Sequence, residues 1–178
     1  MKAVEEPYPQ SVATSNPELI LSSSVGCRMD KEEISRRLAR ALQKLEHRDH
    51  YLFVHDLNER TITHRLAMYL QEEFPGMDVD CEYNRVDFEV KRLDFYPANT
   101  KTDDTDARTV FPDIIVHKRG AKGPNLLVLE AKKTTNKSGD DLGKLKAYKS
   151  NPHLKYDFAI FLQLRTGPEP GVERLEFI

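Results

Sequence analysis

Apolar residues recur every three to four positions at Ile34, Leu38, Leu42 and Leu45. That is the period of one helix face. Asp30 stands where an N-cap belongs, so a helix is expected over 31–48. Its charged positions, Lys31, Arg36, Arg37 and Arg40, read as a solvated face. A second stripe, Ile62, Leu66, Leu70 and Glu73 with Ala67 and Phe74 beside it, predicts a helix over 59–74. Asn58 caps it and Pro75-Gly76 stops it, while HRDHYLFVHD before it reads as a connector. From Asp78 the period changes to two. Val79, Cys81 and Tyr83 alternate with Asp80, Glu82 and Asn84, and Val86, Phe88 and Val90 with Asp87, Glu89 and Lys91. A strand is expected over 78–93, its second part continuing the first or pairing with it. Glu82 and Glu89 read as its solvated side, with a place near the acids Asp113 and Glu130 as the alternative for either. A polar loop follows over 96–109.

Two apolar runs, FPDIIV and NLLVLEA, then flank the turn KRGAKGP, which predicts a hairpin. Ser138 and Asp141 form a capping-box pattern for a helix over 139–150. That helix turns Leu142, Leu145 and Tyr148 inward and Lys144, Lys146 and Lys149 outward, and Asn151-Pro152 ends it. YDFAIFLQL, 156–164, does not alternate, as in a central strand covered on both faces. A last strand is expected over 173–178. Antiparallel strands followed by a helical crossover define an α/β fold, a mixed β-sheet flanked by helices. Residues 1–28 lack periodicity and read as a mobile tail or arm; 29–178 read as one domain.

Composition narrows the function classes. Of the 178 residues, 39% are hydrophobic and 31% charged. No window approaches the roughly 18 apolar residues of a membrane span. Acids and prolines fill MKAVEEPYPQ, where a signal peptide would need an apolar stretch. Cys27 and Cys81 lie far apart without a CxxC, as reduced thiols of a cytoplasmic protein do, and zinc is not expected. Net charge is −2, but it is uneven: residues 1–113 carry 15 Lys and Arg against 22 Asp and Glu, and residues 114–178 carry 12 against 7. The basic excess lies in the second half, as a phosphate-facing surface would require. A merely solvated surface gives the same asymmetry.

The hairpin holds the unusual chemistry. Asp113 interrupts its first apolar run and Glu130 its second, and Lys132 follows two residues later. Alternate residues of a strand share a face, so Glu130 and Lys132 point the same way, and Asp113 reaches them if the runs pair. Burying two carboxylates and a lysine costs several kcal/mol unless they pair or hold a metal. Glu59, three residues before Ile62, lies on the inward stripe of its helix. It reads either as a first-turn acid complementing the helix dipole or as a third acid for the same site. Rival sites are weak. Asp103, Asp104 and Asp106 lack the spacing, glycine and final Glu of a calcium loop. His47, His50, His55 and His64 lack ligand spacing and read as surface residues. No HExxH, GxSxG, GxxxxGK[ST] or GxGxxG occurs.

Pro112-Asp113, with Glu130-Ala131-Lys132 beginning seventeen positions after Asp113, resembles the signature of the PD-(D/E)xK nuclease superfamily. The resemblance covers about 58–165. It implies a restriction-endonuclease-like α-β-β-β-α-β core with an extra N-terminal helix. Further implied is a metal-dependent nuclease, most readily on DNA, with Mg²⁺ or Mn²⁺ as cofactor. Asp113 and Glu130 would be ligands, the Ala131 carbonyl a third, and Glu59 would hold a second metal or its water. Lys132 would orient or deprotonate the attacking water and stabilise the transition state. Lys133, Lys137 and Lys144 would contact phosphates. Two alternatives stay open: a buried ion pair of Lys132 with the two acids, and an inactive nuclease-fold module that binds nucleic acid or a protein. Homodimers and larger assemblies are compatible with either, and no membrane partner is implied.

Overall fold

The computed structural model describes residues 29–83, 85–86, 89–90, 92–93, 108–109, 111–120, 124–136 and 140–178. The expectations for 1–28 and for most of the polar loop fall outside these. Helix α1 spans Lys31–Arg48. Asp30 caps it, its carboxylate accepting the Glu33 N–H at 2.8 Å. The expected connector contains a short helix, α2, His50–Val54, because Phe53 is drawn into the core. Helix α3 follows over Glu59–Glu73, and the Asn58 side chain accepts the Thr61 N–H at 2.8 Å.

Strand β1 covers only Asp78–Cys81. At Glu82 the backbone turns to φ 49°, a left-handed conformation that ends an extended run. The rest of the expected 78–93 strand becomes short pieces outside the main sheet. Of these, β2 (Arg85–Val86) pairs with β3 (Glu89–Val90), and β4 (Arg92–Leu93) pairs with β5 (Arg108–Thr109). The hairpin forms as expected. Strand β6, Ile114–His117, runs antiparallel to β7, Asn125–Lys133. Helix α4 spans Asp141–Ser150, and its N-cap is Asp140, whose side chain accepts the Gly143 N–H at 3.2 Å. Ser138, the expected cap, lies outside the described residues. Strands β8, Phe158–Arg165, and β9, Gly171–Phe177, complete the chain.

The sheet has five strands in the order β1-β6-β7-β8-β9. β7 and β8 are parallel, joined by the α4 crossover; the other neighbours are antiparallel. Alternation along the strands splits the core in two. Ile114, Val116, Leu127, Leu129, Ile160 and Leu162 pack with α1 and α3. Ile115, Val128, Ala159 and Phe161 pack with Leu145 and Tyr148 of α4. β8 is thus covered on both sides, which explains its unbroken apolar run. The result is an α/β fold with a mixed sheet between helices. Among the described residues no helix is long and apolar enough to cross a membrane.

Candidate active site

The β6–β7 register brings the two interrupting acids together. Ile114 pairs with Leu129, so one step earlier Asp113 stands beside Glu130. Both lie on the α4 face with Ile115 and Val128. Asp113 Oδ2 accepts the backbone N–H of Ala131 at 2.8 Å, which fixes the carboxylate against the middle of β7. Burial pushes the Asp113 carboxyl above its usual range. The Ala131 N–H and the charges of Lys144 and Lys132 pull it back, while Glu59 adds to the rise.

Glu130 is only 3% exposed. Its ion-pair partner is not Lys132, as its neighbour along the strand would suggest, but Lys144 of α4. The Lys144 Nζ lies 2.8 Å from Oε1 and donates a hydrogen bond to Oε2 at 2.9 Å. The same ammonium donates to the Phe111 carbonyl at 3.0 Å. Lys144, expected to face outward, therefore points into the site. Burial pushes the Glu130 carboxyl up to about 8; Lys144 offsets this only in part, and Asp113 adds to it.

Lys132 shares the face of Glu130 and reaches Asp141 instead, Nζ to Oδ2 at 3.7 Å. Asp141, in the first turn of α4, raises the Glu130 carboxyl by its charge. Glu130 Oε1 and Asp141 Oδ2 are buried and met only by ion pairs, from Lys144 and Lys132, while the Tyr148 hydroxyl is buried without a hydrogen bond. Burial lifts the Tyr148 hydroxyl well above its ordinary range, and Glu130 and Asp113 add to that. The sequence suggests for Lys144 only a phosphate contact and for Asp141 only a capping role, and does not show that both face Glu130. The signal was the helical spacing 141, 144, 145, 148, which puts them on the face carrying Leu145 and Tyr148.

Glu59 sits at the end of β7 rather than between the other acids. Its Oε2 accepts the Lys133 N–H at 2.8 Å and the Asn136 side-chain amide at 2.7 Å. Its charge is felt at Asp113. Lys133 points to the opposite face, is 7% exposed, and donates to Asp56 Oδ1 at 2.7 Å and the Leu57 carbonyl at 3.0 Å. It is spent on the connector before α3, which leaves its ammonium inward. Lys137 lies outside the described residues. Glu82 is exposed and paired with Arg60 at 2.8 Å; the side chain of Glu89 is not among those described. His47, His50, His55 and His64 are exposed, as expected. His117, which the pattern did not single out, is buried with its Nε2 2.8 Å from Asp80.

The donor set suits a hard cation. Two carboxylates adjoin on one face, and the buried oxygens Glu130 Oε1 and Asp141 Oδ2 are faced by the ammonium groups of Lys144 and Lys132, at 2.8 and 3.7 Å, so the site already holds positive charge against oxygen. Mg²⁺ takes oxygen ligands, keeps several waters, and needs only one or two carboxylates. Among the described residues, however, no group of three or more His, Cys, Asp and Glu side chains is gathered to hold a metal, so the expected trio with Glu59 is not assembled. Comparison with protein-family models, curated proteins and solved structures finds no match to this chain.

Proposed function

We propose that the chain is a divalent-metal-dependent nuclease acting on DNA, built on a restriction-endonuclease-like core. One observation carries this: Asp113 and Glu130 stand side by side on the α4 face of β6–β7, with Lys132 two residues along on that face. The order α3, β1, β6, β7, α4, β8 within one sheet supports the α-β-β-β-α-β core. Asp113, Glu130 and the Ala131 carbonyl would hold Mg²⁺ or Mn²⁺, which supplies an activated water and neutralises phosphate charge. Asp113 is held for this by the Ala131 N–H. Lys132, whose side chain is 22% exposed, would orient the attacking water and stabilise charge on the phosphate. Glu59, fixed by the Lys133 N–H, would act through waters at the margin of the site.

The test is cleavage of DNA with Mg²⁺ or Mn²⁺, its loss in EDTA, and its loss in Lys132→Ala with folding intact. Cleavage by Lys132→Ala at the wild-type rate would sink the mechanism.

A second reading, an inactive module of the same fold that binds nucleic acid or a protein, is favoured by the absence of a gathered three-acid group among the described residues. Calorimetric titration with Mn²⁺ separates them: an active site binds the ion through Asp113 and Glu130, and an inactive module leaves it unbound.

A further inference from the structure

The Lys144 ammonium has three oxygen neighbours: Glu130 Oε1 at 2.8 Å, Glu130 Oε2 at 2.9 Å and the Phe111 carbonyl at 3.0 Å. This is the environment of a bound cation, supplied here by the chain itself. The placement is built, not incidental. Glu130 is 3% exposed, and Lys144 is the one cation that the described contacts bring within ion-pair distance of it. Lys132, the obvious partner by sequence, is turned to Asp141. Leu145, next along α4, is fully buried, and Tyr148 one turn on is too, so the helix that carries Lys144 is seated firmly over β7.

We propose that Lys144 is an internal competitor of the divalent cation: its ammonium holds Glu130 until the cation displaces it. The proposal rests on the metal-site reading above. A divalent ion sharing Glu130 with the ammonium would repel it, and like charges repel strongly in a poorly solvated place. Mg²⁺ also brings its own waters, for which the space beside Glu130 is filled by the Lys144 amine. The lysine stem has rotatable bonds and a fifth of its side chain in solvent, so the ammonium can leave without moving α4. The lysine neutralises a buried carboxylate that would otherwise be costly to keep. It therefore trades cation affinity for stability of the empty fold.

Calorimetric titration of the full chain with Mn²⁺, at one fixed pH, tests this. Lys144→Gln should bind the ion about tenfold or more tightly than wild type, the weight of a hydrogen bond to a charged group. Lys144→Arg keeps the positive charge and should gain nothing. Glu130→Gln should lose binding. Should Lys144→Gln fail to melt cooperatively, Lys144→Met, of similar length and no charge, carries the same expectation. Equal or weaker binding by the uncharged variants, with wild type still binding, overturns the competitor role and leaves the metal site standing. An equal gain in Lys144→Arg also overturns it. No binding by wild type or by either uncharged variant removes both this proposal and the metal site.

Discussion

The carboxylate of Asp113 is bonded to the backbone of Ala131, the middle residue of Glu130-Ala131-Lys132, at 2.8 Å. The proline-aspartate end of one strand is thereby fastened to the acid-lysine strand beside it. Two motifs far apart in sequence become one rigid unit.

This bond separates stability from chemistry at Asp113. Asp113→Asn retains an acceptor for the Ala131 N–H and sheds a buried charge whose carboxyl is already raised by burial. It should unfold in urea at the wild-type midpoint or above. Asp113→Ala leaves that N–H unpaired and should cost about 1–3 kcal/mol. Both should lose Mn²⁺ binding and cleavage. A destabilisation of Asp113→Asn as large as that of Asp113→Ala would show that the charge itself holds the strands.

Lys133 is expected to be structural. Its ammonium joins Asp56 and the Leu57 carbonyl, pinning the connector that leads into α3 and Glu59. Lys133→Ala should lower Tm by several degrees. The salt dependence of nucleic-acid binding, which reports phosphate contacts, should keep its slope. A slope reduced by about one would instead make Lys133 a phosphate contact.

The Cys81 thiol is a probe of the same neighbourhood. Burial, then the charges of Asp113, Asp80 and Glu82, push it up to about 11. Only the thiolate reacts, so alkylation at neutral pH should be slow and should rise about tenfold per pH unit until pH nears 11. In a Cys27→Ser background the folded protein should react far more slowly than the same chain in urea. Equal rates would show the thiol to be unburied and uninfluenced by those acids.

The α1–α3 contact should be acid-labile. Burial would raise the Glu73 carboxyl, but hydrogen bonds from Lys44 and Arg40 outweigh it and hold the carboxyl below its ordinary value of 4.5. A carboxyl depressed in the folded state binds fewer protons there than when unfolded. Its contribution is therefore present above about pH 4.5 and lost as pH falls through the folded value. Urea midpoints from pH 6 downward should fall more steeply for wild type than for Glu73→Gln. Parallel curves would assign the acid sensitivity elsewhere.

Much of the architecture was legible along the chain because it depends on local period and local capping. The stripe from Ile34 to Leu45 and the caps Asp30 and Asn58 correspond to α1 and α3. The unbroken run after Tyr156 becomes a strand buried on both faces. Legibility failed where one residue's backbone redirected the chain. Alternation through Asp78–Leu93 implied a long strand, but Glu82 adopts a left-handed turn, its N–H bonded to the Pro112 carbonyl at 3.0 Å. No period reveals a bond to a residue thirty positions away. The short helix around Phe53 escaped notice for a similar reason, since a single core anchor carries no repeat.

For the site, the sequence alone determined that Glu130 and Lys132 share one face, because a strand alternates with period two, whereas Asp113 joins them through the β6–β7 register. Which lysine serves Glu130 was a matter for the tertiary structure. Residues two apart on a strand rise in parallel about 6.6 Å from each other, so Lys132 stands beside Glu130 rather than over it. The crossover helix α4 lies across that face and lowers Lys144 directly onto the carboxylate. The seating of Glu59 was also decided in three dimensions: the Lys133 N–H and the Asn136 amide at the end of β7 claim its carboxylate and hold it apart from the other two acids.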